Sequence, residues 1–217
     1  MPSESELGEQ FQVSRITVRQ ALGDLQKEGL IFKIHGKGTF VAKPKAFQNV
    51  STLQGLAESL AHFGYEVANQ LRSIKFIEAD ERVALRLKLN TGDEITEIKR
   101  VRFINREPIS LEVSYVLSSI GEKLQKADLI TRDIFLILEN DLQINLGHAD
   151  LAIDAVLAEH EIADALGVPT GSPIMRIERL THRATGEPID FEFLYSRGDA
   201  FQYRFRIDRH RNASHSA

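Results

Sequence analysis

The sequence predicts an α+β protein in two parts: a small N-terminal segment with two helices and a β-hairpin, then a larger domain built on a central antiparallel sheet. Residues 91–115 and 170–195 repeat one another, and each copy reads as a hairpin preceded by a helix. The chain before residue 45 carries helix-capping signals and a glycine-containing hairpin instead. We expect a first domain over 1–43, a linker over 44–50 and a second domain over 51–217.

Composition excludes several classes of protein. The 217 residues are 42% hydrophobic and 27% charged, which is ordinary for a globular chain, and the lack of cysteine excludes disulfides, thiolate zinc sites and a cysteine nucleophile. No apolar run approaches the ~20 residues that span a bilayer, and the start does not resemble a signal peptide. We expect a cytoplasmic protein with no membrane association, no cofactor and no metal.

Charge is distributed unevenly along the chain, whose formal net charge is -4. Residues 1–45 hold seven Lys and Arg against five Asp and Glu, a net charge of +2, and the remainder holds 20 against 26. The N-terminal segment is therefore the basic end, although an imbalance of two charges means little without a motif.

Two helices are predicted near the start. Ser3 and Glu6 fit a capping box, and Ser14 is a good N-cap for a longer amphipathic helix that ends near Gly29. The inward positions of the second helix are Val18, Ala21, Leu22 and Leu25.

A hairpin follows, with β-prone runs at 30–34 and 39–42 around a turn that contains Gly36 and Lys37. Helix, turn, helix and hairpin make a winged helix-turn-helix, whose second helix enters the major groove of DNA. Its first turns carry Arg15, Thr17 and Arg19. Arg15 or Arg19 can bond guanine O6 and N7, while Thr17, Lys37 and the glycine amides of the hairpin are expected to approach phosphates or the minor groove. Two helical arginines taken alone are more often a solvated surface.

The whole string from Pro2 to Val41 strengthens the DNA-binding hypothesis. Pro-Ser-Glu-x-x-Leu-x-x-x-Phe-x-Val-Ser-Arg-x-Thr-Val-Arg-x-Ala-Leu, then Glu-Gly-Leu and Gly-Lys-Gly-Thr-Phe-Val, resembles the GntR family of transcription regulators, and the hairpin resembles that of its HutC subfamily. The resemblance implies operator contacts by Arg15, Thr17, Arg19 and Gly36. Family members usually carry a further helix before the position of Pro2, which we expect this chain to lack, and many have an arginine at the position of Ser5.

The second domain begins after a linker around Pro44, which cannot continue a β-ladder. Ser51 or Thr52 is expected to cap a helix that runs to Phe63 and ends at Gly64, and an extended stretch follows over 67–77.

The repeat then sets the architecture. Thr91-Gly92, Ile95, Ile98, Arg100, Glu107-Pro108-Ile109, Glu112 and Tyr115 correspond to Thr170-Gly171, Ile174, Ile177, Arg179, Glu187-Pro188-Ile189, Glu192 and Tyr195. Helices at 81–89 and 161–166 precede the copies. Two such units predict a pseudo-two-fold antiparallel sheet with helices packed on it.

Pairing in the first hairpin, closed around Asn105 and Arg106, brings Arg100 opposite Glu112 with Arg102 on the same face. Arg179 lies near Glu192 in the second hairpin by the same construction. These charges are either cross-strand ion pairs on a solvated face or part of a binding site.

The chain from about Phe47 to Arg209 resembles the UTRA effector-binding domain, whose fold is similar to that of chorismate lyase. The family's Arg-x-Arg, Asn-x-x-Pro-x-x-x-Glu pattern is matched by Arg100, Arg102, Asn105, Pro108 and Glu112. The resemblance implies that the arginines hold a phosphate in sugar-phosphate sensors, that Glu112 binds the rest of the ligand, and that backbone amides near 53–58 contribute. Later pocket positions are matched by Glu192 and by Ser196 or Arg197.

One departure concerns the ligand. Where those sensors place a serine and a tyrosine on the phosphate, this chain has Asp133 and Phe135. A carboxylate 4 Å from another anion costs about 1 kcal/mol in water and more when shielded from it. We therefore expect a small polar effector with an amine or amide for Asp133 and a carboxylate for the arginines.

Two other features have simpler interpretations. His148, His160 and His182 lack metal-ligand spacing such as H-x-x-x-H. The alternating stretch 201–208 predicts the closing strand of the sheet.

The leading hypothesis is a ligand-responsive repressor that binds a palindromic operator as a homodimer. The alternatives are an effector-binding and dimerisation module with an incompetent DNA-binding segment, and a chorismate-lyase-like enzyme, for which no catalytic set is visible.

Overall fold

The computed structural model describes residues 1–27, 30–34, 38–41 and 45–207, apart from the side chain of His62, and divides into two compact units, Met1–Lys45 and Ala46–Ala217. Gly29, Gly36 and Lys37, to which the sequence assigned a helix end and two operator contacts, lie outside the described residues. Within these ranges no helix is long and apolar enough to cross a membrane.

The first unit consists of α1 (Glu4–Phe11), α2 (Arg15–Lys27), β1 (Ile31–Ile34) and β2 (Gly38–Val41), and β1 and β2 pair antiparallel. The predicted capping box is present, because Ser3 Oγ accepts from the Glu6 N–H at 3.3 Å while the Ser3 N–H donates to Glu6 Oε2 at 2.7 Å. Ser14 caps α2 by accepting from the Thr17 N–H at 3.2 Å. Among the residues of α2 that were predicted to face inward, Val18 is buried but Ala21 is exposed. Only a narrow face of the helix packs against the rest of this small unit.

The second unit is built on one six-stranded antiparallel sheet of order β4-β5-β6-β9-β8-β7. Its elements are β3 (Ala46–Asn49), α3 (Leu56–Leu60), β4 (Val67–Glu78), α4 (Glu81–Leu87), β5 (Glu94–Ile104), β6 (Glu107–Leu117), α5 (Ser118–Leu124), α6 (Ile134–Asn140), β7 (Leu146–Leu157), α7 (His160–Leu166), β8 (Pro173–Arg183), β9 (Pro188–Arg197) and β10 (Phe201–Arg204). The predicted α+β class and internal repeat are confirmed: β4-α4-β5-β6 and β7-α7-β8-β9 are equivalent units that meet at the β6–β9 pair.

The register of the two hairpins depends on a β-bulge in each. Arg100 lies opposite Glu112, as predicted. Near the turn, however, Ile104 pairs with Glu107, and a constant register from that pair would have placed Leu111 opposite Arg100. One extra residue, Ile109, moves the glutamate into place, and Ile189 is the extra residue of the second hairpin. Arg179 consequently lies opposite Glu192. The turn residues Asn105 and Arg106 both have positive φ, 49° and 66°, as a two-residue I′ hairpin turn requires.

Helices cover both faces of the sheet. Helices α4 and α7 pack on one face against residues such as Val113 and Phe191, while α5 and α6 pack on the other against residues such as Ile98 and Val116. Because side chains alternate along a strand, the second face also receives Arg100, Glu112, Glu192 and Arg179 from the four central strands β5, β6, β9 and β8. A row of charges thus lies inside the core.

Three local expectations differ from the structure. The first helix of the second unit begins after Gly55, not after Ser51 or Thr52, because the preceding chain forms β3 and a turn. Residues 46–49 of the expected linker are therefore part of the second unit, where they pair in parallel with β10. That pairing also takes β10 out of the main sheet, whose edges are β4 and β7. The strand predicted over 201–208 covers Phe201–Arg204, and residues from 208 onwards lie outside the described ranges.

Helix α5 packs so closely on β5 that one glycine should be irreplaceable. A Cβ on Gly121 would lie 1.9 Å from Oγ1 of the fully buried Thr96. We expect Gly121→Ala to lower the free energy of unfolding by about 1–3 kcal/mol through overpacking. Chemical denaturation measures this, with Gly198→Ala as the control because no heavy atom lies within 4 Å of its added Cβ. Equal stability of the two variants would contradict the packing described here.

Candidate functional site: a helix surface and a buried charged cavity

The predicted DNA-contacting residues of α2 are all exposed. Arg15 and Arg19 are one helical turn apart, so they lie on the same face of α2. Arg19 Nε donates to Glu4 Oε2 at 2.7 Å and Arg15 Nη2 donates to Ser5 Oγ at 3.1 Å, so α1 holds both guanidinium groups in place. Thr17 Oγ1 lies 2.9 Å from Ser14 Oγ. Such exposed contacts are weak and exchange readily for a DNA partner.

A small cavity of about 10 Å³ in the second unit, room for about one water molecule, brings together the five residues that the sequence assigned to effector binding. Its lining contains Arg100, Arg102, Glu112, Asp133 and Glu192, together with Gly55, Ile134, Phe135, Arg179 and Asp190. Small-molecule pockets usually measure about 300–1,000 Å³. The cavity must therefore widen to admit a metabolite.

Glu112 is the centre of the charge cluster. Its Oε1 accepts from Arg100 Nε at 2.9 Å, and its Oε2 forms an ion pair with Arg102. Burial raises the pKa of Glu112, but the charges of Arg100 and Arg102 outweigh this and hold it at about 2. Arg100 is fully buried and also donates to the carbonyls of Leu129 and Arg132, at 3.3 and 3.2 Å. Arg100 is thus held mainly by the protein itself.

The second copy of the repeat supplies a matching pair. Arg179 donates to Glu192, and its guanidinium carbon lies 4.7 Å from the centroid of the Phe135 ring. Burial lowers the pKa of Arg179, yet the neighbouring carboxylate of Glu192 raises it above the usual value for arginine. Arg179 therefore remains charged inside the core.

Asp133 connects two helices beside these pairs. It occupies the N-cap position of α6, yet its carboxylate makes no cap bond there and accepts instead from the Glu58 N–H at 3.1 Å. Gly55, the N-cap of α3, has no side chain, and a Cβ on it would lie 2.3 Å from the Asp133 carboxylate. Asp133 thus caps α3 in place of the missing side chain. An amide of the 53–58 segment, expected to serve a ligand anion, is taken by this internal carboxylate.

Asp190 was missed by the sequence analysis. It is 1% exposed, and neither carboxylate oxygen has a hydrogen-bond partner among the described residues. Burial, reinforced by the negative charge of Glu192, raises the pKa of Asp190 well above its usual range. The available signal was its position two residues before Glu192 on one strand, which places both side chains on the same face.

Buried polar atoms without a hydrogen-bond partner indicate which ligand groups the cavity can bind. Besides Glu112 Oε2, which forms the ion pair with Arg102, the described lining has four buried atoms without a hydrogen-bond partner: Asp133 Oδ1, both oxygens of Asp190 and Arg102 Nε. Each such group costs about 1–3 kcal/mol unless a partner satisfies it. The raised pKa of Asp190 favours its protonated form, in which one oxygen donates and the other accepts, so these atoms include both donors and acceptors.

The late pocket position suggested for Ser196 or Arg197 is not at this cavity. Arg197 donates to Asp199 at 2.8 and 3.1 Å and lines a separate groove beside Pro173 and Ile174. The exposed surface of that groove is mostly apolar, although Asp154 and Asp199 also line it.

Comparisons with known proteins match both units. Residues 1–41 match the family described as bacterial regulatory proteins, gntR family, and residues 62–202 match the UTRA domain. The chain is 32% identical to the HTH-type transcriptional repressor NagR of Bacillus subtilis over 96% of this chain and 86% of that protein. It is 30% identical to the histidine utilization repressor of Pseudomonas putida over 83% and 72%. The crystal structure of PhnF from Mycobacterium smegmatis has the same fold, with a TM-score of 0.78 at 24% identity over 96% and 91% of the two chains.

Proposed function

Because the chain belongs to the GntR family of bacterial regulatory proteins and carries a UTRA domain, we propose that it is a cytoplasmic transcriptional repressor controlled by a small polar effector. Two of its relatives are named as repressors, which favours repression over activation. The observation that carries the sensing role is the cavity, where buried charges converge around atoms that lack partners.

The proposed DNA-binding surface is the start of α2, with Arg15, Thr17 and Arg19 facing base edges and phosphates. The hairpin residues Gly36 and Lys37 complete it, a proposal that rests on the sequence alone. The protein acts as a homodimer on a palindromic operator, because two-fold half-sites mirror a two-fold protein. Three apolar side chains exposed on edge strand β7, those of Leu151, Ile153 and Leu157, are consistent with association between copies.

The proposed effector carries an amino group or several hydroxyl groups. An ammonium group would find an acceptor in Asp133 Oδ1, and its positive charge would favour the ionised form of Asp190, which then accepts as well. A ligand anion would have no such effect on Asp190 and would bind Arg102 Nε. The carboxylate of Asp133 also lies where it would repel a phosphate near Arg102 and the Glu58 N–H. We therefore place amino acids, amino sugars and related amines before sugar phosphates, and we propose binding, not catalysis, as the role of the cavity.

Thermal-shift screening of the purified protein against amino acids, amino sugars, carboxylates and sugar phosphates tests this proposal. A compound at 100 times its Kd adds about 2.7 kcal/mol of apparent stability, so an amine-bearing effector should raise the Tm clearly. Asp190→Asn should remove that shift, whereas Asp164→Asn, an exposed aspartate on α7, should keep it. Asp133→Ser should strengthen the response to sugar phosphates, because a repelling anion is gone.

Two outcomes would overturn the effector proposal. One is an unaltered ligand response in Asp190→Asn, which would move binding away from the cavity. The other is a wild-type protein that responds to sugar phosphates alone, which would show that Asp133 does not exclude anions.

A further inference from the structure

Three metal-ligating side chains meet on the outer hairpin of the sheet, outside the cavity. They are His148 and Asp150 of β7 and His182 of β8, and one ligand atom from each lies within 4.8 Å of the others. The two imidazole rings stack at 4.5 Å between centroids, with 8° between their planes. The sequence spacing of these histidines gave no metal signal, because the strand pairing alone brings them together.

Strand register explains the meeting. His148 lies directly opposite His182, and Asp150 follows two residues later on the same face of β7. An irregularity at Gly147, between the pairs formed by Leu146 and His148, sets this register. Cross-strand neighbours have Cβ atoms about 4.5–5.5 Å apart, which is within reach of a shared metal ion.

His182 supplies an independent indication of a ligand. The residue is only 9% exposed, and its Nδ1 has no hydrogen-bond partner among the described residues. That nitrogen points towards Asp150, whose Oδ2 is 4.0 Å away, too far for a hydrogen bond. A buried polar atom without a partner is unfavourable, and a cation between His182 and Asp150 would satisfy it.

We infer that His148, Asp150 and His182 form a binding site for a divalent transition-metal ion, with Zn²⁺ as the best fit. Two imidazoles and one carboxylate are ligands that Zn²⁺ accepts, and a fourth tetrahedral position stays open to water. Bonds of about 2.0–2.1 Å at tetrahedral angles need donor atoms about 3.3 Å apart. His148 and Asp150 are exposed, so rotation of their side chains closes the remaining distance.

The site is separate from the effector cavity. Asp150 lies opposite Leu180, whose side chain packs with the α4 side of the sheet, whereas the neighbouring Arg179 lines the cavity on the other side. A metal ion at this site would link edge strand β7 to strand β8. Effector binding and metal binding can therefore be tested independently.

Titration of the full chain with Zn²⁺, followed by calorimetry and by the Tm, tests the inference. The wild type should bind one Zn²⁺ at this site and gain thermal stability, with no response to Mg²⁺ or Ca²⁺, which prefer sets of oxygen ligands. His148→Ala should weaken that binding at least ten-fold without unfolding the protein, because His148 is exposed. His160→Ala, an exposed histidine at the start of α7, is the matched control and should leave Zn²⁺ affinity unchanged.

A spectroscopic readout identifies the ligands where affinity alone does not. Cu²⁺ bound to the wild type should show hyperfine coupling to two imidazole nitrogens in electron paramagnetic resonance, and His182→Ala should reduce this to one. Equal Zn²⁺ affinity in wild type and His148→Ala would overturn the inference and assign binding to histidines elsewhere in the chain. Absence of Zn²⁺ binding to the wild type at micromolar concentrations would overturn it as well.

Discussion

Glu112→Ala is expected to lower the free energy of unfolding by about 3–5 kcal/mol, the cost of removing one partner from a buried charge cluster. Glu112 is fully buried and compensates both Arg100 and Arg102. Its loss would leave Arg102, whose Nε is already unpaired, without this ion-pair partner in the core. Urea denaturation of the purified variant measures the loss.

The matched control is Glu161→Ala. Glu161 accepts from Lys99 Nζ at 2.6 Å, but its side chain is 69% exposed, and exposed ion pairs contribute about 1 kcal/mol or less. If Glu112→Ala proved no more destabilising than Glu161→Ala, the cluster would have to be hydrated and open. Arg100→Ala is a poor probe of ligand binding for a related reason, because it also removes the bonds to the carbonyls of Leu129 and Arg132.

Glu112 also makes the folding stability depend on pH in the acid range, and its lowered pKa gives the direction of that dependence. Folding lowers the pKa of Glu112 from 4.5 to about 2, so the ionised form is favoured in the folded protein. Its contribution to stability is complete above pH 4.5 and is lost as the pH falls towards 2. Stability measured between pH 5 and pH 3 should therefore fall less steeply in Glu112→Gln than in the wild type.

Arg15→Ala and Arg19→Ala should each reduce operator affinity by about 10- to 100-fold, since a bidentate guanine contact contributes about 1–3 kcal/mol. Fluorescence anisotropy with a duplex selected by the wild-type protein from a random pool measures this effect. Lys27→Ala is the control, because Lys27 lies in the last turn of α2 and pairs with Asp24 on an exposed surface. Lys27→Ala should change the affinity for DNA little, whatever the sequence of the duplex.

Substitution of Glu4 is expected to raise the affinity for DNA instead of lowering it. Glu4 holds Arg19 and also pairs with Lys33 at 3.4 Å, and its pKa is lowered chiefly by the bond from Arg19. Glu4→Gln should release both cations and remove a negative charge near the phosphates, so DNA affinity should rise modestly at low salt. A wild-type chain that selects no duplex would favour the alternative hypothesis, an effector-binding module whose DNA-binding segment is incompetent.

Much of the second unit could be predicted from the sequence, because its strands and turns are encoded by local motifs and the main motif occurs twice. The two copies of the motif around Glu-Pro-Ile set the strands, and the turn at Asn105 and Arg106 fixed the first hairpin. Local capping chemistry set the start of both N-terminal helices. The pairing of Arg100 with Glu112 was predicted correctly, although the bulge at Ile109 that creates it was not.

The sequence by itself determined the two-part architecture, the family, and five of the charged residues that line the cavity. Only the tertiary structure decided the contacts of Asp133 and Asp190. Asp133 caps a helix 75 residues away in the chain, and Asp190 is isolated by burial on a central strand. His148 and His182 meet only through the register of two long strands. Such contacts depend on packing between distant segments, and local propensity, periodicity and spacing carry no information about them.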